Sequence, residues 1–315
     1  LNKIRNFNPV TTVIQIRCVP FEKMKTEQTK HIKFENKQNK KAQFDIVKLE
    51  NLYQRTDLDH SIEKQHKVDF YVLLFIEKGN RYHTIDFTDY KCSKGTILTI
   101  RKDQIQKFTR STTLKGLLLI FTNEFLVSYL EKIEAQKTML LFNELLNVPK
   151  LQLDEINFNT IFDVIKRIEN EYFSINDEYS LSVIRNELHI LTTHLLRIKA
   201  KDKHVVLEKK YLNEFIDFQY LAEKNVRNTT KVKDYSVQLG VSTKTLNTIT
   251  KSIINKTAKE FIDEISTKQI KRLLLNTNLS IKEIAYNSGF EETTNFYKYF
   301  KRHTGTTPEQ FRTGI

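Results

Sequence analysis

The pattern of hydrophobic and polar positions gives the front of the chain a strand-like periodicity. The run from Phe70 to Ile76 is apolar and rich in β-branched and aromatic residues, and it ends near Gly79, which predicts a buried strand followed by a hairpin turn. His83 and Ile85 then alternate with polar positions. The same alternation predicts turns at 88–89 and 94–95 and strands at 96–100 and 117–121. Short strands separated by turn residues predict an antiparallel barrel or sandwich over about residues 42–122.

Farther along the chain the apolar period changes from 2 to 3.6, which predicts amphipathic helices over 124–148 and 158–173. The second of these places five apolar residues on one face: Phe158, Ile161, Phe162, Ile165 and Ile168. A narrower apolar seam follows at alternating steps of four and three residues: Ile184, Leu188, Leu191, Leu195 and Ile198. Such a seam is typical of paired helices. Two alternatives stay open: a homodimer contact, or packing against the barrel.

Length and charge refine this picture. With 315 residues, 39% of them apolar, the chain is long enough for two folding units. The formal net charge is +13, and residues 224–315 hold 16 Lys+Arg against 8 Asp+Glu. A basic surface attracts nucleic acid whatever its sequence, although an ordinary solvated basic face gives the same count. We place the domain boundary at 205/206, with a polar linker over 199–204.

Several classes of protein are disfavoured by what the sequence lacks. Cys18 and Cys92 form no CxxC pair, which argues against a disulfide framework or a thiolate zinc site and predicts a cytoplasmic protein. We expect no membrane span, and residues 1–13 lack the apolar core of a signal peptide. The motifs HExxH, GxSxG, GxxxxGK and GxGxxG do not occur, so we expect no enzymatic activity and no cofactor.

An internal repeat lies in the basic rear part. Residues 233–241 (KDYSVQLGV) match residues 282–290 (KEIAYNSGF) at an offset of 49, and both copies have a small residue four positions before a glycine. A helix-turn-helix needs that pair, because two helices approach closely at the small residue and the glycine occupies the tight turn. Past the turn the offset becomes 50, so the second copy has one extra turn residue.

Local signals support the boundaries of both units. Capping boxes are predicted for three pairs: Ser280 with Glu283, Thr257 with Glu260, and Thr307 with Gln310. Pro308 suits the first position of a helix, and Asn255 and Gly305 suit left-handed helix ends. Between the units, residues 258–275 can form one continuous helix, a rigid spacer that joins them.

Residues from about 209 to 313 resemble the DNA-binding domain of the AraC/XylS-type transcription regulators. The resemblance rests on Leu279–Ala285, Gly289–Phe290, Phe296, Phe300–Lys301, Gly305 and Pro308. The front half resembles the cupin-type sensory domain that often precedes it, through residues 74–79, 83–86, Gly95 and 103–106. The implied fold is α+β: an antiparallel β-barrel with following helices over 1–205, then an all-α double helix-turn-helix over 206–315 that binds double-stranded DNA.

Each recognition helix should bury one stripe and present the other to the major groove. Buried positions are expected at Leu246, Ile249 and Ile253 in the first unit and at Phe296, Tyr299 and Phe300 in the second. The candidate DNA-binding residues face outward: Lys244, Asn247, Thr248, Lys251, Thr293, Thr294, Asn295, Tyr297, Lys298, Lys301 and Arg302. The asparagines suit adenine edges, Lys244 and Lys298 suit guanine edges, and Lys251, Lys301 and Arg302 suit phosphates.

The first unit departs from the family pattern at three positions. Thr250 stands where an apolar aromatic residue is usual, Ala258 replaces a proline, and Thr248 occupies a position where a basic residue is common. We therefore expect the first unit to bind DNA more weakly than the second, or through phosphates alone.

The resemblance also bears on what the front half does. Metal-binding cupins use an HxH pair and a later histidine, but this chain has no HxH, and Gln106 stands at the later position, so we expect no metal. His60, His66 and His83 are isolated along the chain. Three hypotheses remain: a regulator with a small-molecule effector in the barrel, a ligand-independent regulator whose barrel only dimerises, and a cupin-type isomerase or binding enzyme with a DNA-binding tail. An activator would also contact RNA polymerase.

Overall fold

A computed structural model of the chain describes residues 30–36, 39, 42–55, 61–86, 88–143, 148–201 and 211–313. The start at 1–13, Cys18, His60 and the expected domain boundary at 205/206 lie outside these ranges, as does the second half of the predicted linker, residues 202–204. No helix within them is both long enough and apolar enough to cross a bilayer. The expected α+β architecture is confirmed, with strands in the N-terminal region and helices alone in the C-terminal region.

Within the described ranges, ten strands form two sheets. The strands are β1 Lys30–Ile32, β2 Phe44–Lys48, β3 His66–Val68, β4 Tyr71–Lys78, β5 Asn80–Ile85, β6 Thr88–Ser93, β7 Thr96–Ile100, β8 Ile105–Phe108, β9 Lys115–Phe121 and β10 Lys150–Gln152. One sheet has the order β1-β3-β8-β5-β6 and the other β10-β7-β4-β9-β2. All pairings are antiparallel except β1 with β3. The two sheets face each other as an open, cupin-like barrel.

The sheet containing β4 is buried on both faces. Val72 and Leu74 point into the core between the sheets, whereas Leu73 and Phe75 point toward the helices on the outside. Alternate side chains of a strand point to opposite faces, so a strand covered on both sides must be apolar at every position. This double burial explains the uninterrupted apolar run from Phe70 to Ile76.

Two predicted boundaries in the N-terminal region are wrong. The turn expected at 88–89 lies earlier, because Thr88 already pairs with Ile85 and Asp86 adopts a positive φ of 43°. Aspartate tolerates this left-handed conformation, and its Oδ1 accepts a hydrogen bond from the Ile105 backbone N–H at 3.1 Å.

The predicted helix over 124–148 is also interrupted. The structure has α2 Asn123–Val127, α3 Lys132–Met139 and a 3₁₀ turn Leu140–Phe142 in that stretch. Its buried apolar residues lie at the two ends of the stretch, separated by a polar middle, and Phe125, Leu126, Leu141 and Phe142 all join the same core. The helix predicted over 158–173 is confirmed as α4 Glu155–Asn170, which continues into a π-helical turn.

The apolar seam of 184–198 lies on α5 Ser180–Lys201 and packs inside the same chain. Ile184, Leu188, Leu191 and Leu195 are all at most 1% exposed and belong to the core that α4 and the outer face of the β4 sheet share. Of the two alternatives left open by the sequence, the structure therefore has the helix against the barrel. A dimer through these same side chains would require them to leave that core.

Of the remaining helices in the described ranges, one lies in the front half and seven form the C-terminal region. They are α1 Leu49–Gln54 in the front half and then α6 Leu212–Asn225, α7 Val232–Gln238, α8 Thr243–Ile254, α9 Ala258–Asn276, α10 Ile281–Asn287, α11 Thr293–Thr304 and α12 Pro308–Thr313. The first unit has its own core around Phe215, Phe218 and Phe261, and the second has one around Phe296 and Phe300. The predicted connecting helix is confirmed as α9, which contributes to both cores.

Candidate nucleic-acid interface

Each repeat copy forms two helices joined by a tight turn. Ser236 and Ala285, the small residues of the two copies, are buried where the paired helices meet. The glycines that follow have positive φ values, 66° at Gly240 and 82° at Gly289. In both turns the residue after glycine donates its N–H back to the small residue's carbonyl oxygen, at 3.0 Å. The double helix-turn-helix predicted from the repeat is thus present.

Gly289 satisfies a second requirement besides its backbone angle. A Cβ atom added at this position would lie 2.5 Å from the backbone carbonyl oxygen of Arg227, in the loop that follows α6. At Gly240 no atom lies within 4 Å of such a Cβ. The turn of the second unit therefore packs against the first unit, and only glycine permits that approach.

The predicted helix caps are all formed. Thr257 with Glu260 and Ser280 with Glu283 make reciprocal capping boxes at the starts of α9 and α10. The Thr307 hydroxyl accepts from the Gln310 N–H at 3.2 Å, and the Gln310 side chain accepts from the Thr307 N–H at 3.0 Å. These bonds satisfy N–H groups that have no partner within the helix.

The two recognition helices, α8 and α11, bury the stripe that the sequence predicts. All six expected inward side chains are buried: Leu246, Ile249, Ile253, Phe296, Tyr299 and Phe300. Eight of the eleven candidate DNA-binding residues are exposed: Lys244, Thr248, Lys251, Thr294, Asn295, Lys298, Lys301 and Arg302. The other three, Asn247, Thr293 and Tyr297, are half-buried. Each unit therefore has a continuous polar stripe on the side opposite its core.

Asn247 and Tyr297 occupy equivalent positions in the two units, and both make bonds within the protein. The Asn247 Oδ1 accepts a hydrogen bond from the Ala258 N–H at 3.0 Å, and its Nδ2 donates to the Thr243 carbonyl. The Tyr297 hydroxyl donates to a carboxylate oxygen of Glu309. In each unit this position ties the recognition helix to the start of the helix that follows it.

Thr250 shows how the first unit manages without the aromatic residue usual at its position. Its side chain is fully buried, and its hydroxyl donates to the carbonyl oxygens of Leu246 and Asn247 at 3.1 Å. The equivalent residue of the second unit, Phe300, contributes a whole ring to its core. The first recognition helix is therefore held by less apolar area.

A buried carboxylate that the sequence analysis missed joins α11 to α9. Asp263 accepts a hydrogen bond from the Tyr299 hydroxyl at 3.0 Å and forms an ion pair with Lys259 at 2.6 Å. Burial raises the pKa of Tyr299 and lowers that of His303, whose Nε2 lies 3.8 Å from Asp263. The only sequence signal was an acidic residue between Ile262 and Ile265, on the face of α9 expected to be buried.

A second group of polar side chains lies between the two sheets of the N-terminal region. His66 and His83 both contact the ring of Phe108, with centroids 6.0 and 4.6 Å apart. His83 Nε2 and Gln106 Oε1 are buried without a hydrogen-bond partner. Burial lowers the pKa of His83 to about 3, and the charge of His66 acts in the same direction. Within the described ranges, no three His, Cys, Asp or Glu side chains are grouped to hold a metal ion.

Comparison with protein families gives one match for each half of the chain. A family model described as an AraC-like ligand binding domain matches residues 50–165. A second model, described as a helix-turn-helix domain, matches residues 235–314 and so covers nearly all of α7 to α12.

Individual proteins are similar over different lengths. The chain is 30% identical over 161 residues to histidine kinase P4 of Formosa agariphila. The matched segment is 48% of this chain but only 12% of the kinase. It is 20% identical over 254 residues to the HTH-type transcriptional activator RhaR of an Enterobacter species, covering 79% of this chain and 86% of RhaR. Among solved structures, ToxT from Vibrio cholerae aligns with 87% of this chain and 98% of its own at 14% identity and a TM-score of 0.41.

Proposed function

We propose, from the premise that this chain belongs to the AraC-type transcription regulators, that it binds specific sites on double-stranded DNA and regulates transcription there. The observation that carries the proposal is the pair of polar stripes on α8 and α11, each opposite a buried stripe at the same repeat positions. A helix-turn-helix reads bases from the exposed side of its second helix, within the major groove. We assign the protein no catalytic role and place it in the cytoplasm, with the DNA.

The second unit supplies most of the base contacts in this proposal. Asn295 and Lys298 are exposed and make no hydrogen bond or ion pair within the described part of the chain, so both are available to base edges. Thr293 and Thr294 suit thymine methyl groups, and Lys301 and Arg302 suit phosphates. Tyr297 contributes mainly through its bond to Glu309, which fixes the orientation of α11.

The first unit contacts DNA chiefly through charge. Lys244 and Lys251 are exposed, and Thr248 lies between them on the helix, with its hydroxyl donating to the Lys244 carbonyl at 3.1 Å. Asn247 is half-buried and already bonded at both ends of its amide. The first unit thus offers phosphates two lysines but presents no unengaged asparagine to a base, which supports the weaker binding expected for it.

The N-terminal barrel is proposed to bind a small-molecule effector. Two observations support this: the match to an AraC-like ligand binding domain, and the neighbouring buried side chains of His83 and Gln106, of which Nε2 and Oε1 have no hydrogen-bond partner. A buried polar atom without a partner costs about 1–3 kcal/mol, which a ligand bearing hydroxyl or carbonyl groups would recover. The solved ToxT structures include one with a bound unsaturated fatty acid, which is a property of ToxT.

A homodimer through α5 would have to use the outer face of that helix. The inner seam is occupied, but Val183 and Ile190 are 40% and 43% exposed on the opposite side, seven residues apart. RNA polymerase is a further partner if the protein is an activator. Sedimentation of the full chain at micromolar concentration distinguishes monomer from dimer, and Val183→Glu with Ile190→Glu should abolish any dimer formed this way.

Selection of bound sequences from a random duplex pool, followed by footprinting, tests the proposed function. Specific binding predicts enriched sites with two protected segments on one face of the duplex, about one helical turn apart. Recovery of no common sequence, with binding governed only by salt, would contradict it.

Thermal unfolding of the full chain in the presence of sugars and organic acids tests the proposed effector site, since a ligand that binds the native state raises the unfolding midpoint.

A further inference from the structure

A cavity of about 490 Å³ lies between the N-terminal and C-terminal regions. One wall is formed by the first strands and the β7–β8 turn, and the other by α6, the residues just after it, and α9. Two ion pairs link the walls, and each wall supplies the cation of one pair and the carboxylate of the other. Arg272 of α9 donates to Asp86 at 2.7 Å, and Arg101 donates to both carboxylate oxygens of Glu223 at 3.1 and 3.2 Å.

The lining is strongly cationic. The N-terminal wall contributes Lys67, Arg101 and Lys102, and the C-terminal wall contributes Lys224, Arg227, Lys268 and Arg272. Two carboxylates, Asp103 and Glu223, are among the described residues that line the same space, so the net formal charge of these lining residues is +5 with His31 neutral. Among the described lining residues, Ile265 and Leu273 are the aliphatic ones, and the stems of the lysine and arginine side chains add further apolar surface.

The two carboxylates are already neutralised by neighbours. Asp103 forms an ion pair with Lys67 at 2.7 Å, and Glu223 forms one with Arg101. No carboxylate lies within ion-pair distance of Lys102, Lys224 or Arg227 in the described ranges. Burial alone would raise the pKa of Asp103, but Lys67, Lys102 and Arg272 bring it below its usual value, as expected in a cationic field.

We propose that this cavity binds a small, multiply charged oxyanion, a phosphate ester or a polycarboxylate, held by cationic side chains from both regions of the chain. Several positive charges facing one space repel each other, and a bound polyanion removes that repulsion. Guanidinium groups match the geometry of phosphate and carboxylate oxygens, and a volume of this size fits a metabolite.

Such a ligand would bias how the DNA-binding units are held. Because both walls contact it, its affinity depends on their relative arrangement, and it stabilises the arrangement in which they face each other across the cavity. The inference thus adds to the proposed function a regulatory site that is separate from the barrel interior.

Isothermal titration of the full chain with inorganic pyrophosphate and with citrate, at constant ionic strength, tests this site. We expect saturable binding of at least one of them, and the stronger of the two identifies the preferred class. The double variant Lys224→Gln with Arg227→Gln should weaken that binding at least about tenfold. A charge-matched control, Lys91→Gln with Lys115→Gln, changes two exposed lysines outside the cavity and should leave it unchanged. If the double variant unfolds, Lys102→Gln alone serves the same purpose.

Three outcomes would overturn the inference: no saturable binding, equal weakening in both double variants, or a loss confined to DNA affinity, which would make these cations contacts for the duplex backbone. Specific DNA binding is measured on the same preparations. Intact DNA recognition without anion binding removes only this inference, and anion binding without DNA recognition removes only the proposed function.

Discussion

The Asn247 side chain accepts a hydrogen bond from the backbone N–H of Ala258 at 3.0 Å, across the turn between α8 and α9. This bond exists because residue 258 is not proline, since proline has no N–H to donate. The second unit has Pro308 at the equivalent place, and there the tie to the recognition helix runs from Tyr297 to Glu309 instead. The hydrogen bond of Asn247 therefore depends on the absence of proline at position 258.

Replacing Ala258 with proline should free Asn247 for DNA. Proline is well tolerated at the first position of a helix, so α9 should still form. We expect Ala258→Pro to tighten specific DNA binding, because the released amide can address a base, and we expect Asn247→Ala to cancel that gain in the double variant. Fluorescence anisotropy on a selected site measures both. Tighter binding that persists without the Asn247 side chain would show that the asparagine is not involved.

The two units should respond unequally to truncation of their exposed residues. Lys298→Ala with Asn295→Ala should abolish specific binding, since each good base contact contributes about 1–3 kcal/mol of discrimination. Lys244→Ala with Asn247→Ala should only weaken it. Footprinting titrations of both double variants, with Lys91→Ala as a surface control, compare the losses. Equal losses would contradict this ranking.

Phosphate contacts should appear in the salt dependence. Lys301 and Arg302 are exposed near the end of α11, and neutralising both as Lys301→Gln with Arg302→Gln should make the slope of log affinity against log salt less steep by about 2. Affinity for unrelated DNA should fall by the same factor as affinity for the specific site. A slope identical to that of the unmodified protein would exclude a phosphate-binding role for both residues.

The two turn glycines should differ in how they tolerate alanine. Gly240→Ala adds a side chain in open space at a positive φ, which costs about 1–2 kcal/mol of unfolding free energy. Gly289→Ala has the same backbone cost and adds a contact of 2.5 Å with the Arg227 carbonyl oxygen. We expect a clearly larger loss for Gly289→Ala in urea unfolding monitored by circular dichroism. Equal losses of unfolding free energy in the two variants would mean that the loop after α6 shifts to accommodate the added methyl group at little cost.

Burial of His83 should make stability depend on pH. The folded protein holds the pKa of His83 at about 3, below the usual 6.5, so the unfolded chain binds the extra proton more readily. The contribution of His83 to the free energy of unfolding should therefore be complete above about pH 6.5. It should be lost progressively as the pH drops toward 3. Denaturation midpoints between pH 7.5 and 5 measure this. His83→Leu should flatten the dependence, and a dependence unchanged in this variant would assign it to other groups.

The sequence predicted best where the interactions are local. Capping boxes, the left-handed Asn255 and Gly305, and the one-residue difference between the two turns all involve residues within a few positions of each other. The buried stripes of α8 and α11 follow from helical periodicity, so all six inward side chains were predicted, whereas Asn247, Thr293 and Tyr297 on the expected outward face are half-buried. The helix over 124–148 was wrong because its apolar residues lack that period.

The sequence by itself determined the repeated helix-turn-helix, the strand-rich front half and the polar stripes, because periodicity, caps and turn residues act over short separations. Only the tertiary structure decided that the seam of α5 is buried within the chain, that Asn247 is bonded to Ala258, and that Asp86 reaches Arg272, 186 positions away. Contacts of that separation depend on how whole elements pack, and no local pattern encodes which distant side chain will fill a given place.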